Sequence, residues 1–314
     1  MSTPVNSLAI AVAQAAWSMF AAGNLRGAVE LGERGLHALD VERSWSSQRI
    51  DAALVIGRIS AVANFQGDGG FGDGGFNRTI AIGEEAADEA RKLDDVEREA
   101  AAYDVAGLAH YYADMMWLTE TYEGASGYFE RARRLLEPDR PGLASVLLHQ
   151  ALVEERLGRF EAAEPLFLRS AELAEAAGEE LTLSYAVRHL AFGHQRRGDL
   201  GRALADAERS LAIRRRLGLR PYLPLTLLAV ADIRRARGER GEADALCAEA
   251  LAEARAMHLS CGEVFALLSQ ATAARVAGNR DQARGLLEEA AGVARRIGYL
   301  RWIKAVESAQ SSFA

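Results

Sequence analysis

Three of the six histidines, and one helix-like run rich in aromatics, carry the side chains with which this sequence could do chemistry. His149 and His189 lie forty residues apart, and His110 lies thirty-nine residues before His149. Histidine changes charge near neutral pH and is the commonest metal ligand, so such a row could form an acid–base or metal site. Zinc needs ligands at about 2 Å that converge on one point. Side chains from neighbouring helices, whose axes stand roughly 10 Å apart, converge poorly. Hydrogen-bonded packing histidines, or contacts to a ligand or partner, are the competing readings. The run Tyr103–Trp117, YDVAGLAHYYADMMW, adds Tyr103, His110, Asp114 and Trp117. Tyr and Trp dominate binding hot spots and form the walls of ligand pockets. The same residues could instead fill a core, with His110 and Asp114 pairing at i, i+4.

Stepping along the chain, four segments share a glycine, an alanine five residues later and then an apolar run. They begin at Gly158, Gly198, Gly238 and Gly278, with Ala163, Ala203, Ala243 and Ala283, so the spacing is forty residues three times running. Gly23 with Ala28 is an earlier copy, and Glu120 with Tyr122, Ala125, Phe129 and Ala132 is a degenerate one. Before each glycine, about fourteen residues repeat apolar positions at i, i+3, i+4 and i+7, and a second such stretch follows; both patterns predict amphipathic helices. The glycine supplies the left-handed backbone that ends the first helix. The small alanine lets the two helices approach. A lone hairpin cannot bury its apolar face, and stacking makes the core continuous. The prediction is all-α: a right-handed superhelical solenoid of about seven helical hairpins plus a capping helix around Tyr299–Ser311, one domain over residues 1–314.

Gly158, Phe160, Ala163, Phe167 and Ala171 carry a resemblance to the tetratricopeptide repeat, and GRFEAAEPLFL resembles the forty-residue variant of kinesin light chains and of bacterial transcriptional regulators. The resemblance implies that the first helix of each hairpin lines a concave, partner-binding face. Counted in that frame, the inward polar residues are His110, Asp114 and Trp117, then His149 and Glu155, then Tyr185, Arg188, His189 and Gln195, then Asp232 and Arg235, with Tyr103 beside them. It also implies a scaffold for a protein or peptide partner, regulatory or accessory to a biosynthetic pathway. A small-molecule sensor, or an unconventional cyclase or lyase using His, Asp and Tyr groups, is the alternative.

Residues 67–76 read GDGGFGDGGF, an exact tandem of five. A phosphate cradle is disfavoured because Asp68 and Asp73 repel phosphate and no lysine is present. Two carboxylates are few for calcium. The expectation is a Gly-rich loop insertion over 66–77, with Phe71 and Phe76 exposed to contact a partner or cover one end of the groove.

Net charge is −7 with a sequence pI near 5.5, which argues against general nucleic-acid binding. Charge is uneven: residues 196–240 carry 12 Arg against 5 acids, a place where an acidic peptide could dock unless the helices simply carry solvated faces. Two cysteines exclude a disulfide scaffold and read as reduced thiols of a cytoplasmic protein. The apolar N-terminus lacks a basic region before Arg26, so it is expected to be a first helix rather than a leader. No apolar run is long enough to span a membrane. No phosphate loop, GxSxG or HExxH motif is present, so no cofactor, metal or catalytic residue is assigned. The chain is expected to be a monomer or homodimer.

Overall fold

Each glycine of the forty-residue pattern ends a helix. Gly158, Gly198, Gly238 and Gly278 have φ of +75°, +79°, +85° and +83°. The same two bonds close each helix: the Gly158 amide donates to the Glu155 carbonyl and the Arg159 amide to the Glu154 carbonyl, and Gly198 and Asp199 do likewise to Gln195 and His194. The chain reverses there because orphan carbonyls are satisfied by a left-handed residue that carries no Cβ penalty.

The computed structural model describes residues 4–39, 45–67, 72–119, 121–136 and 141–312, and among these no strand occurs. The helices are α1 (Pro4–Ala21), α2 (Leu25–Leu39), α3 (Ser47–Gln66), α4 (Gly72–Lys92), α5 (Val96–Trp117), α6 (Glu123–Leu135), α7 (Leu143–Arg156), α8 (Phe160–Ala177), α9 (Glu180–Arg196) and α10 (Leu200–Arg216). After a 3-10 turn at Arg220–Tyr222 come α11 (Leu223–Ala236), α12 (Arg240–Ala256), α13 (Ser260–Val276), α14 (Arg280–Ile297) and α15 (Leu300–Ser311). Odd-numbered helices up to α13 are the first helices of the hairpins, even-numbered ones the second, and α15 follows the last hairpin. The architecture is the all-α helical repeat that the periodicity predicts.

Two compact units share this chain: residues 1–114 with 119–183, and residues 115–118 with 184–314. In the first unit the core is built from small residues. Ile50, Ala53, Ala86, Ala87, Ala90 and Ala102 pack together with Leu36, Leu54, Ile82 and Tyr103 around them. Alanine lets α4 approach α5 so closely that a Cβ on Gly83 would stand 2.9 Å from the Ala102 carbonyl oxygen. In the second unit Ala203, Ala243 and Ala283, the alanines five residues past each glycine, are all fully buried. The predicted close contact between helices is therefore what that position provides.

The glycine-rich segment differs from its expectation. Gly67, at φ +82°, caps α3, and the second GDGGF copy belongs to the first turns of α4. Phe76 is 1% exposed. It heads a buried stripe through Thr79, Gly83, Ala87 and Ala90. Burial of an aromatic ring on this stripe outweighs the poor helix propensity of the glycines. Phe76 is thus a core residue and not an exposed contact. Phe71 lies outside the described residues.

Candidate functional site

In the first unit the polar centre forms where α3, α5 and α7 meet. Along α5 the positions 104, 108, 111 and 115 form one buried stripe, apolar except for Asp104. Asp104 is 1% exposed. Its Oδ1 accepts a hydrogen bond from His149 Nδ1 at 2.7 Å, its Oδ2 accepts one from Ser145 Oγ at 2.7 Å, and Arg58 Nη2 stands 3.6 Å from Oδ2. Burial by itself would raise the Asp104 carboxyl, but His149, Arg58 and Ser145 together outweigh it and hold the group below the usual carboxylate range. An ionised carboxylate only accepts, so His149 carries a proton on Nδ1. The imidazole stacks on Phe129 with centroids 5.3 Å apart. Its Nε2 has no hydrogen-bond partner among the described residues and reaches solvent. The arrangement is a carboxylate–imidazole dyad. Ser145 bonds to the carboxylate rather than to Nε2, so it is not placed as a nucleophile.

His110 and Tyr103 do not join this centre. Both lie on the neighbouring stripe of α5, which faces second helices. His110 stacks on Tyr128 at 5.5 Å, and Gly124 of α6 makes the room, since a Cβ there would stand 2.8 Å from the His110 Nδ1. The Tyr103 hydroxyl takes a hydrogen bond from Arg91, and its ring tilts against Tyr128 at 6.2 Å. The Tyr128 hydroxyl bonds Glu84; burial and that carboxylate push it up to about 12. A one-residue change of phase, 100° around the helix, separates the two stripes. That is why His110, expected on the inward face, lies instead against α6. Asp114 does not pair with His110; it accepts a bond from Thr119 Oγ1 at 2.5 Å. Glu155 is half-buried near the end of α7.

The second unit holds the remaining predicted residues. Trp117 packs edge-on against Tyr299 at 5.4 Å. On α9, Tyr185, Arg188, His189 and Gln195 are all half-buried. Arg188 Nη2 donates to His189 Nε2 at 3.1 Å, and its guanidinium carbon lies 5.3 Å from the Phe192 ring centroid and 5.8 Å from that of Tyr185. The guanidinium carbon of Arg214 also lies 4.4 Å from the Tyr185 ring centroid. Arg214, 1% exposed, donates to Ser184 Oγ, the Tyr222 carbonyl and Thr226 Oγ1. Arg235 donates to Asp232 Oδ1 at 2.9 Å, Ser269 Oγ at 3.2 Å and Cys247 Sγ at 3.3 Å. Burial pushes the Asp232 carboxyl up, with Arg235 and Ser269 opposing; the side chain is nonetheless 56% accessible, so water screens that push.

The Arg-rich stretch 196–240 is largely spent inside the protein. Arg215 pairs with Glu249, Arg220 with Glu253, and Arg234 with Glu208, Glu239 and Glu242. Asp104, Arg58, Ser145 and Arg214 were not singled out from sequence as site residues. Asp104 and Arg214 carry a signal that could have found them: each is a charged residue on an otherwise apolar helical stripe. Among the described residues no cluster of three potential metal ligands occurs, and no helix is long and apolar enough to cross a membrane.

Comparison with known proteins agrees with the repeat. Residues 104–176 match the model of the tetratricopeptide repeat family. No curated protein matches the chain. Among solved structures, a Rap protein complexed with competence and sporulation factor is 12% identical with a TM-score of 0.63, over 97% of this chain and 87% of that one. Aspartyl phosphate phosphatase F from Bacillus subtilis is 13% identical with a TM-score of 0.51, over 100% and 94%. A signal transduction ATPase from Pyrococcus horikoshii with a tetratricopeptide repeat sensor is 18% identical with a TM-score of 0.52, over 91% of this chain and 43% of that one. At these identities the likeness is one of fold. The family match covers residues 104–176, and over nearly the whole chain the likeness is to the helical-repeat fold of these structures.

Proposed function

We propose that this protein is a scaffold that binds a protein or peptide partner across the faces of its first helices. One observation carries the reading: on α9, polar and aromatic side chains are held half-buried with hydrogen-bonding capacity unspent. The Tyr185 hydroxyl and the Gln195 amide have no hydrogen-bond partner among the described residues, and neither is sealed from water. Such groups are positioned by packing yet remain available, which is what a partner surface requires. The Rap protein, which is similar in fold, forms a complex with competence and sporulation factor. The two free thiols, Cys247 and Cys261, suit a reducing cytoplasm.

A photo-crosslinking amino acid tests this. Placed at Gln195, on a first helix, it should capture a polypeptide in cells of the source organism. Placed at the exposed Ala248, on second helix α12, it should not. Equal capture at both positions would refute a first-helix face. A second reading, acid–base chemistry on a small molecule, is favoured by the Asp104–His149 dyad with its solvent-reaching Nε2. It lacks a nucleophile placed beside that nitrogen.

A further inference from the structure

Every first helix up to α13 ends on a left-handed residue. For six of the seven that residue is a glycine, with no Cβ to clash: Gly23, Gly67, Gly158, Gly198, Gly238 and Gly278. At the end of α5 it is Leu118, at φ +58°. The closing bond is the same in kind. The Thr119 amide donates to the Asp114 carbonyl at 3.2 Å, as the Arg159 amide does to that of Glu154. A left-handed leucine is uphill, because its Cβ crowds the neighbouring carbonyl oxygen. Such a residue persists where its surroundings hold it.

The surroundings are remote in sequence. Met115–Leu118 belong to the compact unit that contains Ser184–Ala314. Trp117, beside the strained leucine, meets the Tyr299 ring edge-on at 5.4 Å. Tyr299 is 4% exposed and stands at the start of α15, where its carbonyl accepts the Trp302 and Ile303 amides at 3.1 and 3.2 Å. The Trp302 ring is buried and meets Phe265 of α13 edge-on at 4.8 Å. The seat that Trp117 occupies is thus anchored in the core of the second unit.

We propose that α15 is a latch for the end of α5. With Trp117 seated on Tyr299, Leu118 is held left-handed and the Thr119–Asp114 bond is closed. With Trp117 unseated, nothing offsets the crowding at Leu118, so the residue relaxes and the bond opens. An edge-on aromatic pair stands on one side of this balance and one strained residue on the other, two terms of similar size, so the latch is poised rather than locked. A ligand or partner that displaces α15 therefore loosens the end of α5, and loosening there unseats α15, because such coupling is reciprocal. The latch is independent of the partner-binding reading above.

Native-state hydrogen exchange of the full chain, resolved by residue and expressed as protection, tests this at the Thr119 and Ile303 amides. Tyr299→Leu should lower protection at Thr119 about 2- to 10-fold, the worth of an edge-on aromatic pair. Trp117→Leu should lower protection at Ile303 by a similar factor. Leu118→Gly removes the crowding and keeps the seat, so it should raise protection at Thr119 about 5- to 30-fold. Added to Tyr299→Leu, it should restore at least the wild-type value. Should Tyr299→Leu fray α15 by itself, the Trp117→Leu arm decides, because it leaves the sequence of α15 intact. Protection at Ile303 that ignores Trp117→Leu would overturn the latch. Protection at Thr119 that ignores Tyr299→Leu, or that falls in Leu118→Gly, would overturn it equally.

Discussion

Replacing Asp104 tests the dyad and the packing of three first helices together. Asp104→Ala removes the acceptor for His149 Nδ1 and for Ser145 Oγ at once, in a place that is 1% exposed. Arg58, 47% exposed, can turn to water, but the two buried donors cannot. Removing one member of a buried charged pair costs about 3–5 kcal/mol. Asp104→Asn keeps the shape and one acceptor oxygen, so its cost is about 1–3 kcal/mol. A repeat array need not unfold in one step. The assay is therefore native-state hydrogen exchange read on peptides from α5 and α7. Asp104→Ala should accelerate their slowest amides by about two to three and a half orders of magnitude, at about 1.36 kcal/mol per tenfold. The pH dependence follows from the depressed carboxyl. Its contribution is complete above the unfolded value of about 3.9 and is lost as pH falls through the lower folded value. The gap between wild type and Asp104→Asn should hold from pH 7 to 5 and close below about pH 4. An Asp104→Ala cost under about 1 kcal/mol, or a gap that widens on acidification, would refute the argument.

Phe76→Ala should destabilise the first unit by about 3–5 kcal/mol, as for any large core ring, whereas an exposed loop phenylalanine would leave the melting temperature unmoved. Gly107→Ala places a Cβ 2.5 Å from a ring carbon of Phe129, so denaturation should show a loss of about 1–3 kcal/mol from overpacking. Gly198→Ala forces a Cβ onto φ +79° and should cost about 1–2 kcal/mol in thermal unfolding, without any contact being lost. Cys261 is fully buried and its thiol is pushed well up, so it should react with an aromatic disulfide reagent at neutral pH only as the second unit opens.

Much of the fold was legible because the signal was repeated. One glycine ends a helix anywhere; four at forty-residue spacing, each followed by a buried alanine, leave few other solutions. The capping helix Leu300–Ser311 followed from the same count. The glycine-rich segment was misread because composition speaks only for local preference. Phe76, Thr79 and Gly83 already held the helical spacing that tertiary burial enforces. The site was less legible for a reason of angle. Degeneracy at Glu120, where the pattern has its glycine, blurred the frame of α5, and one residue of phase moved His110 from the first-helix face to the second-helix side. Asp104 lies in the run Tyr103–Trp117 but was not taken as a site residue, because a carboxylate looks like surface unless its stripe is checked. Arg188 could be named from its position, but its setting against His189, Phe192 and Tyr185 exists only in three dimensions.

The central claim is that a polypeptide partner occupies the first-helix face. Native mass spectrometry of the protein purified from its own cells tests it most directly. The account predicts a complex whose added mass is that of a polypeptide. An added mass of a small molecule or metal ion, with no polypeptide retained, would contradict it and return the Asp104–His149 dyad to the centre of the function.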